Sequence, residues 1–241
     1  MLRLPFISAI ARRGVRQRLA APIRERLTRW QAQMQRDRRP HTGEPLTLAR
    51  LVALDLETTG ARMDRDRLLC IGAIAVRART VRLDESLERF VRQDQSSSVA
   101  NILIHQIGGQ QQLGGEDPAG ALVDCLEFLG SSVVVAYRAE FDATILRREF
   151  AQVLGTRLPN RFVDLAILLP SLFPSTSNDT LEDWLGYFGL GLAARHQALA
   201  DAYANALLLL IVLERASRLG LKTTDDLVRM EKAQRWLGLR R

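Results

Sequence analysis

Cysteine is nearly absent from this chain: Cys70 and Cys125 are the only two, far apart and each set in an apolar stretch. No CxxC pair exists, so a disulfide framework and a zinc site are excluded and two reduced core thiols are expected. Long apolar runs are missing as well. The run around Phe6–Ala11 is too short to span a bilayer, and its arginines follow it, unlike those of a secretory signal. Asp201 and Glu214 bracket the stretch Ala206–Leu213, which reads as a buried helix. No integral membrane segment is therefore expected, and a cytoplasmic location is. No G-x-G-x-x-G follows a strand-like run and there is no Walker A loop, which leaves nucleotide-cofactor folds without support. Repeats are absent, and the one biased tract, Gln110–Gln112, falls in a segment that reads as loop. Lysine occurs only at Lys222 and Lys232, so the basicity of the chain is arginine's.

What is present is enough for one substantial core with extensions: 241 residues, 47% of them apolar. The net charge of +7 is uneven, because residues 1–39 hold eleven arginines against Glu25 and Asp37. That arm therefore carries +9 and the rest of the chain −2. Ile23, Leu27, Trp30 and Met34 fall at helical spacing, with Pro22 at the expected start and Arg39-Pro40 to Pro45 reading as a linker. A basic amphipathic helix of this kind can meet nucleic acid, an anionic membrane or a protein partner, or pack on its own domain. Its arginine-rich, acid-poor composition also resembles an organellar transit peptide. The expected division is residues 1–49 as basic extension and linker, 50–220 as the main domain and 221–241 as a helical tail.

Strands are expected at Leu51–Leu56, Leu68–Val76 and Thr80–Val91, with short connections that favour antiparallel pairing. Asp117-Pro118 opens a helix that Gly130 stops; Ser132–Ala136 is a short strand; Phe141–Leu154 is a helix closed by Gly155. Phe162–Leu165 reads as a brief strand end. Helices then follow at Thr180–Phe188, at about Ala198–Leu219 and at Thr224–Leu237. Strands first, then strands alternating with helices, point to an α/β domain with a mixed sheet.

Asp55 and Glu57 lie in the first of these strands. Residues i and i+2 project from one face, roughly 6–7 Å apart. Two acids on a hydrophobic strand repel one another and resist desolvation, a conflict that a bound divalent cation removes. Carboxylate-rich sites suit Mg²⁺ or Mn²⁺. Asp142 stands at the start of the helix after the fourth strand, where an acid also makes a favourable dipole contact. Asp201 belongs on the first turn of the long helix, with His196 on the loop before it, since five helical steps would separate their faces by about 140°.

Together these residues resemble the DEDDh subgroup of 3′–5′ exonucleases, the DnaQ-like family of the polymerase III epsilon subunit. Leu54-Asp55-Leu56-Glu57-Thr58-Thr59-Gly60 is similar to its first motif, Val135-Ala136-Tyr137-Arg138-Ala139-Glu140-Phe141-Asp142 to its second, and His196-Gln197-Ala198-Leu199-Ala200-Asp201-Ala202 to its third. Val163-Asp164-Leu165 and the helix from Thr180 to Leu190 match secondary features. Tyr137-Arg138 stands where the family has His-Asn, and His105-Gln106-Ile107 where it has His-Gly-Ile; both changes lie where relatives shape the nucleic-acid groove.

The resemblance implies a ribonuclease H-like mixed sheet flanked by helices, with a basic helical N-terminal extension. It implies two divalent cations, Mg²⁺ or Mn²⁺, held by Asp55, Glu57, Asp142 and Asp201, and His196 as general base. Leu56 and Thr58, which flank the ligands, would meet the terminal nucleotide. The implied activity is removal of nucleotides from DNA 3′ ends, of the replication-proofreading or repair type, with single-stranded DNA the expected substrate and a DNA polymerase subunit a partner through the N-terminal extension. The alternatives are an exoribonuclease of the same fold and a non-catalytic nucleic-acid-binding or scaffold protein.

Overall fold

The computed structural model describes residues 9–36, 43–174, 178–191 and 196–238. Its centre is a five-stranded mixed sheet in the order β3-β2-β1-β4-β5. β1 (Arg50–Thr58), β2 (Leu68–Arg77) and β3 (Thr80–Phe90) form an antiparallel meander. Ala78 and Arg79 close its hairpin with φ of 49° and 60°, the sign that a tight two-residue turn needs to match strand twist. β4 (Val133–Ala136) and β5 (Phe162–Asp164) run parallel to β1.

Helices cover both faces, so β1 residues 51–54 are buried whichever way they point. Leu51 and Ala53 face α9 (Ala198–Arg218), with α7 (Leu165–Leu172), α8 (Leu181–Tyr187) and α10 (Thr224–Gly238) completing that layer. Val52, Leu54 and Leu56 face α5 (Pro118–Leu129) and α6 (Glu140–Val153) through Leu122, Leu126, Ile145 and Phe150. Local chemistry sets the ends of these helices. The Asp117 carboxylate accepts the Ala119 and Gly120 N–H groups and Pro118 sits in the first turn of α5. Thr180 and Asp183 form a reciprocal capping box at α8.

The arginine-rich arm folds as α1 (Ala9–Arg18) and α2 (Ala21–Arg36). Leu27 of α2 is 2% exposed within the α5/α6 core, with Ile23 and Trp30 beside it. Trp30 Nε1 donates to the Leu126 carbonyl (3.0 Å), Arg26 pairs with Asp124 (2.6 Å) and Glu127, and Arg16 donates to the Gly155 carbonyl (3.0 Å). The amphipathic stripe thus packs on its own domain, and Arg18, Arg24, Arg29 and Arg36 remain exposed. At the other end of the chain Leu227 and Val228 of α10 enter the α9-side core.

Both thiols are buried and free. Burial pushes Cys70 far above the usual thiol range and Cys125 up to about 12, so both stay protonated. Among the described residues no helix is long and apolar enough to cross a membrane.

Two short helices depart from the expected pattern, α3 (Val99–His105) and α4 (Gly109–Leu113), whereas α7 follows Asp164 as the family resemblance implies. The tract Gln110–Gln112, expected as loop, lies in α4. Its Gln112 is 1% exposed, and its amide takes the Ser97 N–H (2.7 Å) while donating to the Ile107 carbonyl (2.8 Å) and the Ser97 hydroxyl (3.0 Å). A fully paired buried amide locks this turn into a helix that is too short to show periodicity.

Candidate active site

At its C-terminal end β1 changes from doubly buried to alternating: Leu54, Leu56 and Thr58 are buried, Asp55 and Glu57 half-buried. Asp55 and Glu57 continue the row begun by Leu51 and Ala53, the row that faces α9. Asp201 stands in the first turn of α9, 5% exposed. One carboxylate oxygen from each of Asp55, Glu57 and Asp201 lies within 4.8 Å of the other two. Three negative charges at that spacing in a partly desolvated pocket repel strongly, and a divalent cation relieves them. The donor set, all carboxylate oxygen, fits a hard cation.

Asp142 lies in the first turn of α6 and is 4% exposed. Burial raises its pKa well above the usual carboxylate range; the charges of Asp164 and Glu57 add to that, and the Leu56 N–H opposes it. It therefore adjoins the trio on the Glu57 side, although it is not one of the three acids whose oxygens converge within 4.8 Å. His196 is exposed, with φ of 58°, and its backbone N–H donates to Asp201 Oδ2 (3.0 Å). That bond ties the loop carrying the imidazole to one of the three acids.

Leu56 offers the site its backbone and not its side chain. Its side chain, 7% exposed, packs in the α5/α6 core on the face away from Asp55 and Glu57, so its backbone N–H is what reaches the site, through Asp142. Thr58 is 8% exposed; its hydroxyl donates to the Gly60 carbonyl (2.6 Å) and its own carbonyl accepts from Asn101 Nδ2 (3.1 Å). Asn101 Oδ1 in turn meets His105 Nε2 at 2.8 Å, so α3 is pinned to the end of β1. At the first departure from the family pattern Tyr137 donates its hydroxyl proton to the Asp179 carbonyl (2.8 Å) and Arg138 is an exposed residue with φ of 58°; at the second, Gln106 caps α3 with φ of 58°, its N–H on the Ile102 carbonyl.

Two residues that assemble the site escaped the sequence reading. Gly72 of β2 lies opposite Asp55 in the β1–β2 register. A Cβ there would fall inside the van der Waals envelope of the Ala198 carbonyl and the Leu199 N–H, so the bare backbone lets the start of α9 rest directly on the sheet. Glycine inside an otherwise apolar strand was the available signal for close backbone approach. Asn205, fully buried and one turn after Asp201, donates from Nδ2 to the Leu54 carbonyl (2.9 Å), fastening the helix of one acid to the strand of the other two. Nothing in its sequence context distinguishes it.

The Exonuclease family model matches residues 52–209. The chain is 26% identical over 178 residues to a DNA polymerase III PolC-type of Caldanaerobacter subterraneus, covering 73% of this chain and 12% of that protein. It is 24% identical over 193 residues to the 3′-5′ exonuclease DinG of Staphylococcus aureus, covering 77% and 20%. The chain thus spans 12–20% of the length of these relatives. Among solved structures, E. coli Exonuclease I in complex with a dT13 oligonucleotide aligns with a TM-score of 0.61 at 21% identity, over 71% of this chain and 42% of that one. The zinc-bound form of its single-stranded DNA complex aligns at 0.62, with the same identity and coverage. At this identity the likeness is one of fold: the mixed sheet flanked by helices is shared.

Proposed function

The chain belongs to the exonuclease family, and we propose that it is a metal-dependent 3′–5′ exonuclease acting on the 3′ end of single-stranded DNA. One observation carries the proposal: carboxylates from β1 and from α9, distant in sequence, converge within 4.8 Å. In this reading Asp55, Glu57 and Asp201, with Asp142 beside them, hold two Mg²⁺ or Mn²⁺ ions. Bound there, such ions supply an activated water and stabilise charge on the phosphate and leaving oxygens. The residues do the rest. His196 takes a proton from the attacking water on its imidazole, acting as the general base. As the water oxygen bonds to phosphorus, the bond to the 3′ oxygen of the penultimate nucleotide breaks; that oxygen takes a proton from solvent, which leaves a nucleoside monophosphate and a new 3′ hydroxyl, and His196 returns its proton to solvent. Gly72 and Asn205 keep the helix of Asp201 against the strand of Asp55 while this occurs.

The PolC-type and DinG relatives and the oligonucleotide complexes of Exonuclease I support DNA as the substrate and a proofreading or repair setting. A polymerase subunit is the partner this setting implies. The test uses 3′-labelled single strands of matched DNA and RNA sequence with Mn²⁺, with and without chelator. Release of mononucleotide from DNA, abolished by chelation, is expected. Release from RNA alone would reassign the substrate, and release from neither would contradict the enzymatic reading.

A further inference from the structure

Helix α10 lies outside residues 52–209, the segment that matches the family, yet it brings a cation to the border of the active site. Arg235 Nη2 lies 3.4 Å from Asp164 Oδ2 and 2.6 Å from Glu231 Oε1, and Nε donates to the same Glu231 oxygen at 2.9 Å. The Asp164 and Glu231 side chains are 6% and 4% exposed, so the guanidinium is the counter-charge of two buried carboxylates. Asp164 uses its other oxygen twice: Oδ1 accepts the Ala166 N–H that opens α7 and the Arg138 N–H, each at 2.9 Å. Arg138 is the middle residue of the turn from β4 into α6, and Asp142 follows four residues later. Its φ of 58° is one that a non-glycine residue holds only when its surroundings impose it.

These contacts form one line, Glu231 to Arg235 to Asp164 to Arg138, and it ends on the turn that delivers Asp142. We propose that Arg235 is a positioning residue for Asp142, acting through Asp164. The proposal rests on the reading of Asp142 as a metal ligand. Removing the guanidinium leaves two buried carboxylates without their cation, which the interior tolerates poorly. Asp164 then keeps only its backbone donors at Arg138, Ala139 and Ala166, the carboxylate is freer to shift, and the Arg138 N–H loses a fixed acceptor. The strained turn relaxes, and Asp142 moves with it. Groups that hydrogen-bond a metal ligand directly set affinity or activity by about 10–100-fold because they orient it, and Arg235, acting through Asp164 and the Arg138 turn, is expected at the lower end of that range.

The experiment compares full-length wild type with Arg235→Gln, Arg235→Lys and Val228→Ala. The last is a control that loosens the α10 core contact and leaves the charges intact. Mn²⁺ binding by calorimetry and kcat and KM on single-stranded DNA are measured well below each melting temperature. Arg235→Gln is expected to weaken Mn²⁺ binding about tenfold and to lower kcat with KM unchanged. Arg235→Lys, which keeps the charge, should recover part of both, and Val228→Ala should change neither. If the glutamine variant fails to fold, Arg235→Met gives the same readout. Wild-type Mn²⁺ affinity and kcat in the uncharged variants, or the same loss in Val228→Ala, would overturn the proposal and leave the exonuclease reading standing. Wild type that binds no Mn²⁺ would overturn both.

Discussion

Asp55 and Glu57 are the residues whose chemistry the sequence announces most plainly, because two acids on one face of an apolar strand need a cation to be stable there. Asp201 was harder to read: it is an ordinary helix-start acid until the fold brings it within 4.8 Å of the other two. Asp55→Ala or Asp201→Ala should abolish nucleotide release while circular dichroism and melting remain native-like; a folded variant that still releases nucleotide would contradict the assignment. His196→Ala should lower kcat by roughly 10²–10⁴-fold if the imidazole is the base. Unchanged turnover would leave only its backbone N–H, which holds Asp201, with a role. His105 offers a prediction of a different kind. Its Nδ1 accepts the Ile107 N–H (2.9 Å) and its Nε2 pairs with Asn101 Oδ1, so it is buried neutral, and burial holds its pKa below the usual imidazole value. The unfolded chain takes up this proton below about pH 6.5 and the folded chain resists it. The stability that depends on this residue is therefore complete above that pH and is lost as pH falls toward the folded value. Denaturant midpoints at pH 7.5 and 5.5 should fall further for wild type than for His105→Gln; equal falls would contradict this account.

At the scale of elements, the long pieces were legible because their signals reinforce one another. Asp117-Pro118 with Gly130 bounds α5 within a residue. The short connection from Gly60 to Asp66 correctly implied antiparallel β1 and β2. The pieces that were missed are short. α3 and α4 have seven and five residues, too few for a 3.6-residue period to stand out from a loop, and what holds them is tertiary: buried His105 and buried Gln112. Gly72 belongs to this scale as well, because its effect is on how closely α9 can approach β2. Gly72→Ala should force the start of α9 away from the sheet and weaken Mn²⁺ binding by roughly 10–100-fold, more than it lowers the melting temperature would suggest. Unchanged Mn²⁺ affinity in a folded Gly72→Ala protein would show that the close approach does not set the metal site.

Over the whole molecule, the charge count alone was ambiguous. The +9 of residues 1–39 suggested an arm reaching toward nucleic acid, membrane or partner, but its apolar stripe is spent on the fold, Arg16 is tied to the turn after α6 and Arg26 to α5. Composition could not reveal this, since a stripe at helical spacing serves a partner and a host domain equally well. Leu27→Ala should cost about 2–5 kcal/mol of global stability by denaturant unfolding, as for any leucine removed from a packed core. A change below about 0.5 kcal/mol, the range of surface substitutions, would mean the arm is dispensable to the fold. The same two-faced burial that draws in α2 also draws in α10, so both ends of the described chain brace the sheet that carries the acids. The central claim is that this sheet and α9 together make a cation site. Anomalous diffraction from crystals grown with manganese tests it most directly: the account predicts a peak at bonding distance, about 2.1 Å, from oxygens of Asp55 and Asp201. Well-ordered crystals with no peak there, or with those carboxylates turned apart, would contradict it.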